Sequence, residues 1–344
     1  MNLQSFGKTG LSFPPIVFGS SAFGNLFHEY PLSLKKEVLE EIFRQTAPYT
    51  VFDTAGKYGA GLALEVLGDF LLEHGVQKNE VIITNKLGWV RIPLKEVEPT
   101  FEPGIWKGLH HDAVQKISYD GILECFEKDN VLLRQYIPQL VAVHDPDEYL
   151  AAGKSKAEKE QRWGEILSAC KALKKLKSEG KVKGIGVGAK DWKIIRDIYQ
   201  FIDLDYVMLA NSLTLISHPP ELMQFVERLR MDKVGIINAA VFQSGFLVGE
   251  DYFNYKLIDA QNPSDQAKIN WRKQFFEVCQ QHEVAPDHAC IQFALCIPGI
   301  SRVALSINNP NLVRKNIQAV KVKLPQSFWE EMKNRQLIPD FAFL

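Results

Sequence analysis

The sequence predicts an α/β fold in which eight parallel strands close into a (β/α)8 TIM barrel. Three observations carry this. Eight short apolar runs recur along the chain, rich in β-branched or large apolar residues and too short to be helices. Amphipathic stretches of helical period lie between them, and strand alternating with helix argues for a barrel over separate sheets and bundles. At 344 residues, 46% hydrophobic and 24% charged, the chain has the composition of a globular domain and the length of one α/β barrel. An open doubly wound sheet is the competing arrangement.

The elements follow in order. Residues 3–13 hold Gly7 and Gly10 between Phe6 and Leu11, which predicts an N-terminal β-hairpin plugging the barrel floor. The eight runs are Ile16-Val17-Phe18, Thr50-Val51-Phe52, Val81-Ile82-Ile83-Thr84, Leu140-Val141-Ala142-Val143, Ile185-Gly186-Val187, Tyr206-Val207-Met208-Leu209, Val234-Gly235-Ile236-Ile237 and Val303-Ala304-Leu305. The clearest helix spans 159–179, where Trp163, Ile166, Leu167, Cys170, Leu173 and Leu176 fall at steps of three and four and Gly180 stops it. Its lysines read as a solvated face. Residues 88–118 break the alternation as a long irregular segment after the third strand, the sign of a lid or binding loop. A tail, 325–344, ends in Phe341 and Phe343. With no repeat or Ser/Gly-rich linker, residues 1–344 read as a single domain.

Charge and cysteines bound the function. Forty basic against 41 acidic residues leave a formal net charge of −1, so no nucleic-acid partner is expected. No apolar run is long enough to span a membrane, and the first residues lack the pattern of a signal peptide. Five cysteines without a C-x-x-C suggest reduced thiols and a cytoplasmic setting, with neither a disulfide framework nor a zinc site. Two nucleotide motifs are decoys. Gly184, Gly186 and Ala189 match G-x-G-x-x-A but sit inside an apolar run, with no strand before the first glycine. Gly7-Lys8-Thr9 lacks the earlier glycine of a phosphate loop, because that place is Asn2.

Active sites of such barrels form at the C-terminal ends of the strands. Asp53 ends the second run with Tyr58 just beyond, Lys86 ends the third, and His144 ends the fourth. This set supports acid/base chemistry on a carbonyl/alcohol pair. A phenol has an ordinary pKa of about 10, which a neighbouring ammonium lowers. Lys86 is placed to do so, Asp53 to orient Lys86, and His144 to donate a hydrogen bond to a substrate oxygen. No side chain of the set accepts a hydride, so a hydride carrier is implied. Each residue alone has a plainer reading as a helix cap, loop surface or rim residue; the case rests on all four together. After the last strand, Asn309 and Pro310 read as the cap and first turn of a helix whose N-terminus suits a phosphate or the adenosine end of a cofactor.

These segments, Phe52-Asp53-Thr54-Ala55-Gly56-Lys57-Tyr58-Gly59, Glu65-Val66-Leu67-Gly68, Ile83-Thr84-Asn85-Lys86 and Val143-His144-Asp145-Pro146-Asp147, resemble the aldo/keto reductase superfamily. The resemblance covers roughly residues 3–320. It implies a (β/α)8 barrel using NAD(P)(H), with Asp53, Tyr58, Lys86 and His144 as its catalytic tetrad. It also implies that the 306–316 segment grips the cofactor through Ser306, Asn308, Asn309, Leu312 and the adenine-contacting Asn316. A pyrophosphate loop after the seventh strand would contain Ala240, Phe242, Ser244, Gly245 and Leu247. Family members preferring NADP usually carry Lys or Arg around positions 306, 308 or 312; Ser306, Asn308 and Leu312 stand there, which favours NAD(H). Arg302, Arg314 and Lys315 are the cations near enough in sequence to oppose that preference.

Two departures stand out. Ala239 replaces the Tyr that commonly stacks on the nicotinamide, and Gly188-Ala189 replaces a Ser-Asn pair that commonly binds its carboxamide, leaving Asn211 as the candidate. Gly188, the Ile237-Asn238-Ala239-Ala240 stretch with Ser244-Gly245, and Phe253-Asn254-Tyr255 resemble the aldose 1-dehydrogenase branch, which includes L-fucose, D-threo-aldose and pyridoxal dehydrogenases. That branch implies oxidation of a cyclic hemiacetal at C1 to a lactone, with Tyr58 taking the hydroxyl proton. Trp89, Trp106 and His110 or His111 of the long loop are candidates to bind a sugar; the adjacent histidines make a poor metal pair. The alternatives are a pyridoxal or generic aldehyde/ketone oxidoreductase and a non-catalytic cofactor-binding regulatory subunit.

Overall fold

The protein is described by a computed structural model over residues 3–344. Eight strands, Ile16–Gly19, Thr50–Ala55, Val81–Leu87, Leu140–His144, Gly184–Ala189, Tyr206–Ala210, Gly235–Ala239 and Arg302–Ser306, close into a barrel. Neighbours in the barrel are neighbours in the chain, all parallel, and the last strand returns to the first with Ala304 opposite Val17. Each apolar run read from the sequence contributes to one of these strands. The residues alternate as the pleat requires. Val51 and Ala142 point into the barrel, beside Tyr206, Met208 and Ile237. Phe52 and Ile83 point outward, onto Leu39, Leu67 and Phe70 of the surrounding helices.

The helix expected over 159–179 runs Lys156–Ser178, begun by the Ser155 hydroxyl accepting from the Glu158 N–H at 3.1 Å and followed by Gly180 at φ +72°. Two connections are richer than a simple alternation. A short helix, Pro146–Ala151, precedes Lys156–Ser178 after the fourth strand, and two helices, Pro263–Gln281 and Pro286–Cys296, follow the seventh. Pro310–Lys321 and Gln326–Asn334 close the chain, and the tail beyond stacks Phe341 on Phe343 with ring centroids 4.9 Å apart. Gly184, Gly186 and Ala189 all lie within the fifth strand, so they form no dinucleotide turn.

Two segments position the site. The N-terminal hairpin pairs Gln4–Phe6 with Leu11–Phe13 and seals the floor. Phe6 and Phe13 are fully buried with rings 4.6 Å apart, and the Arg302 guanidinium lies 4.8 Å from the Phe13 centroid while donating to the Gln4 carbonyl. Residues 88–118 are more ordered than expected. Their ends form an antiparallel hairpin, Trp89–Pro93 with His111–Gln115, Trp89 opposite Gln115 and Pro93 opposite His111. Only its tip, 94–110, is irregular, and it carries Phe101 and Trp106 inward. Among the described residues no helix is long and apolar enough to cross a membrane.

If the hairpin is part of the barrel core, Phe6→Ala should lower unfolding stability by about 3–5 kcal/mol, the usual cost of emptying a buried Phe site. Urea unfolding followed by circular dichroism checks it; a loss below about 1 kcal/mol would mean that the hairpin is an ornament on a barrel sealed without it.

Candidate active site

The C-terminal mouth of the barrel opens into a cavity of 580 Å³ that Asp53, Tyr58, Lys86 and His144 all line. Strand pairing brings three of them together. The second and third strands pair Ala55 with Lys86, and the third and fourth pair Leu87 with Val143, so Asp53, Lys86 and His144 rise from adjacent strand ends. Tyr58 is held by a backbone crossing. A Cβ on Gly59 would lie 2.4 Å from the Gly24 carbonyl oxygen, and one on Gly24 would lie 2.6 Å from the Tyr58 carbonyl carbon. Glycine at both places lets the loops after the first two strands touch, which fixes the phenol over the barrel.

Lys86 Nζ donates to Asp53 Oδ2 at 2.5 Å and to the Thr54 carbonyl at 3.1 Å, leaving one donor of its ammonium. Both side chains are almost fully buried. Glycine at 188 makes room, since a Cβ there would stand 3.1 Å from Lys86 Cδ. The Lys86 ammonium lies 4.7 Å from the Tyr58 ring centroid, and the His144 ring stands edge-on to the phenol at 5.7 Å.

The electrostatics differ from the expectation of an acidified phenol. Burial pushes the Tyr58 pKa well above its ordinary value, with Asp53, Tyr255, Asp145 and Glu102 raising it further. Residue types alone show the lysine's charge; they show neither how much water the phenol loses nor that Asp53 offsets Lys86. Tyr58 is therefore a protonated phenol at neutral pH. Burial also raises the Asp53 carboxyl, opposed by Lys86, and pushes the His144 imidazole well below its ordinary value, so His144 is neutral. His144 Nδ1 and Asp53 Oδ1 are buried without partners. Both residues line the cavity, so a group bound there could complete these atoms.

The cavity continues from Tyr58 to the start of Pro310–Lys321. Ala239, Ala240, Phe242, Ser244 and Gly245 line it after the seventh strand, and Ser306, Asn308, Leu312 and Asn316 after the eighth. Asn308 Nδ2 donates to the Tyr30 hydroxyl at 2.9 Å, and Ser306 accepts from the Ser21 hydroxyl at 2.8 Å. The loops after the first and last strands thus close one side. Left-handed backbone at Asp145, Asn211, Ala240, Gln243 and Ser244 gathers at this mouth. Such strain in non-glycine residues is typical of functional rims.

Five expected site residues do not reach the cavity. His110 is exposed on the loop tip. Trp89 is buried behind the wall with Phe101 and Trp106. Asn211 is absent from the cavity lining; its Nδ2 donates to Asn254 Oδ1 at 2.9 Å, while its own Oδ1 is buried without a partner. Leu247 is fully buried in the core, and Asn309 accepts from the Asn311 N–H as an ordinary helix cap. Of the three cations near the adenosine end, Arg302 sits under the floor and Arg314 pairs with Glu41, while Lys315 lines the cavity, paired with Asp287 at 2.9 Å.

Other lining residues were missed from sequence: Phe27, Lys57, Glu102, Asp145, Lys190 and Tyr255. Lys57 and Asp145 adjoin Tyr58 and His144 in the chain, which was the available signal. The rest come from distant loops.

The fold and this constellation define a barrel oxidoreductase, and comparison with known proteins agrees. The model of the aldo/keto reductase family matches residues 15–335, so the chain belongs to that family. It is 27% identical to a pyridoxal 4-dehydrogenase of Microbacterium luteolum, over 97% of each chain, and 26% identical to a D-threo-aldose 1-dehydrogenase of a Pseudomonas species, over 96% of each. An aldo-keto reductase from Bacillus halodurans shares the fold with a TM-score of 0.71 at 17% identity, covering 99% of this chain and 97% of that one.

Removing Lys86 alone strands Asp53 in the barrel. Lys86→Met should cost about 3–5 kcal/mol of stability, and adding Asp53→Leu should return part of it, because breaking one side of a buried pair is worse than removing both. A urea-denaturation double-mutant cycle reads this; strictly additive losses would mean the two charges are not coupled.

Proposed function

We propose that the protein is a nicotinamide-dependent aldose 1-dehydrogenase, oxidising an aldose of the L-fucose or D-threo type at C1 to the lactone. The observation that carries this reading is the convergence of Tyr58, the Lys86–Asp53 pair and His144 at one end of a cavity whose other end is a helix N-terminus. The partnerless His144 Nδ1 and Asp53 Oδ1, and the polar lining at Ser306, Asn308 and Asn316, fit a nicotinamide cofactor laid along that cavity. When bound, such a cofactor supplies the hydride chemistry that no side chain offers.

The chain's own residues handle the proton. Tyr58 gives its phenolic proton to the carbonyl oxygen in reduction and takes the hydroxyl proton in oxidation, the same group serving both directions. Lys86 beside the ring stabilises the phenolate that forms, and Asp53 holds Lys86 in place. Neutral His144 orients the reacting oxygen by a hydrogen bond. The wall opposite carries Glu102, Asp145 and Glu148 against Lys57 and Lys190, so negative charge is in excess there. That balance favours an uncharged, hydroxyl-rich substrate over a phosphorylated one.

A second reading is pyridoxal as substrate. It is supported by the aromatic lining of Trp106, Phe27 and Tyr255, which suits a flat pyridine ring as well as a sugar face, and by the pyridoxal-dehydrogenase relative. The intact acid/base set weighs against a non-catalytic regulatory subunit. Incubation with NAD+ or NADP+ and a panel of aldoses, pyridoxal and simple alcohols separates these readings by the absorbance of reduced nicotinamide. Turnover of an aldose is expected. Turnover of pyridoxal or another alcohol alone would replace the substrate, and a tight protein partner with cofactor binding but no turnover would favour the regulatory subunit. Tyr58→Phe should lower kcat by about 10²–10⁴ with cofactor affinity unchanged; full activity would remove Tyr58 from this role.

For the cofactor we infer a preference for NAD(H). Leu312, Ser306 and Asn308 offer no cation to a 2′-phosphate, and Lys315, the one ammonium among the described residues lining that end, is paired with Asp287. Asp287→Ala frees Lys315 and removes a negative charge, so the ratio of NAD+ to NADP+ affinity should fall about tenfold. Titration of cofactor binding by fluorescence checks this, and a wild-type preference for NADP(H) would overturn it.

A further inference from the structure

Lys57 precedes Tyr58 in the chain, yet its side chain is only 3% exposed. A buried ammonium is tolerated when its donors are satisfied, and it has three. Its Nζ donates to Asp145 Oδ2 and Glu148 Oε2 at 2.8 Å each, and forms an ion pair with Glu102 Oε1 at 2.8 Å. These carboxylates hold the Lys57 pKa well above its ordinary value despite burial, so the charge is permanent. Two donors of Lys57 are taken by hydrogen bonds and its charge is ringed by three carboxylates. Its function lies in what it holds.

The three partners come from separate segments. Asp145 follows His144 at the end of the fourth strand, Glu148 lies in the helix Pro146–Ala151, and Glu102 belongs to the tip of the long third loop. Glu102 uses its second oxygen, Oε2, to accept from Trp106 Nε1 at 2.8 Å. The Trp106 ring is then 5.8 Å from the Tyr58 ring and lines the cavity. The backbone of this loop is tied separately, by the Phe27 N–H donating to the Ile105 carbonyl at 2.8 Å and the Lys107 N–H to the Asn25 carbonyl at 3.1 Å. Those bonds fix where the chain runs but not how the indole is turned.

We propose that Lys57 is a positioning residue which, through Glu102, orients the Trp106 indole beside Tyr58 and thereby sets the substrate pocket. The inference rests on the cavity being the substrate site. With its N–H held by Glu102, Trp106 offers a ligand its ring and no hydrogen bond. The substrate it suits presents an apolar ring surface there, such as the C–H face of a cyclic sugar or a pyridine.

The test uses Glu102, a quarter exposed and on a loop, so that folding is spared. In the substrate-free protein, acrylamide quenching of Trp106 fluorescence, taken as the difference from Trp106→Phe, should rise about twofold in Glu102→Ala and return towards wild type in Glu102→Gln, whose amide oxygen still accepts the indole N–H. With whichever substrate the protein turns over, Glu102→Ala should raise KM about tenfold, change kcat less than about threefold and leave the cofactor dissociation constant unmoved. Lys57→Met should give the same KM shift, and the double variant no more than either. Unchanged quenching in Glu102→Ala, or a KM within about twofold of wild type, would overturn the proposal. Lys57→Met should raise the same quenching; because the measurement needs no substrate, it still decides the Lys57–Glu102–Trp106 link if the proposed activity fails.

Discussion

A lysine and an aspartate are buried together inside the mouth of this barrel, and the site is arranged around keeping them there. Lys86 and Asp53 rise from adjacent strands, meet at 2.5 Å and are almost closed off from water. Two such charges persist in a low-dielectric interior only when their geometry is good and their remaining groups are satisfied. The Thr54 carbonyl takes a second donor of Lys86, and the missing side chain at Gly188 leaves its methylenes room. The phenol of Tyr58 is laid against that pair by two glycines that cross at backbone contact. Small changes at positions with no chemistry of their own would therefore displace the groups that have it.

Charge in this site is layered. The floor holds one balanced pair beneath the phenol. The wall around it holds Lys57 and Lys190 among three carboxylates. The far end holds Lys315 with Asp287. Each ammonium is matched to a nearby anion, so the cavity presents shape and hydrogen-bonding edges more than bare positive charge. Burial then decides protonation, leaving Tyr58 a phenol and His144 neutral. A protonated phenol is poised to give its proton to a carbonyl oxygen, and in oxidation the phenolate must form with the help of Lys86.

Much of this was legible in the chain because the relevant signals are local. Eight short β-branched runs separated by helical periodicity favoured a barrel over an open sheet, and Gly7 and Gly10 between aromatic and apolar residues pointed to the hairpin beneath it. Strand ends then placed Asp53, Lys86 and His144 on one rim. What failed depended on long-range packing. His110 and Trp106 lie four residues apart in one loop, yet only the tryptophan turns inward, held by a glutamate whose partner is 45 residues earlier. Asn211 follows a strand end as expected, and Asn254 from a distant hairpin takes one of its amide hydrogens, a contact that no local signal shows. The phenol's acidity was misread for a related reason: charge can be read from residue types, whereas loss of water comes from every loop that closes over the site.

The account turns on Tyr58 being a half-buried phenol whose loss of water outweighs the nearby ammonium. The direct measurement is a spectrophotometric pH titration of the cofactor-free protein against Tyr58→Phe, following the near-ultraviolet band of phenolate. The difference between the two proteins should show no phenolate from Tyr58 up to about pH 10, the ordinary value for tyrosine. Phenolate appearing in that difference at neutral pH would mean that Lys86 dominates the ring, and the electrostatics argued for this site would be wrong.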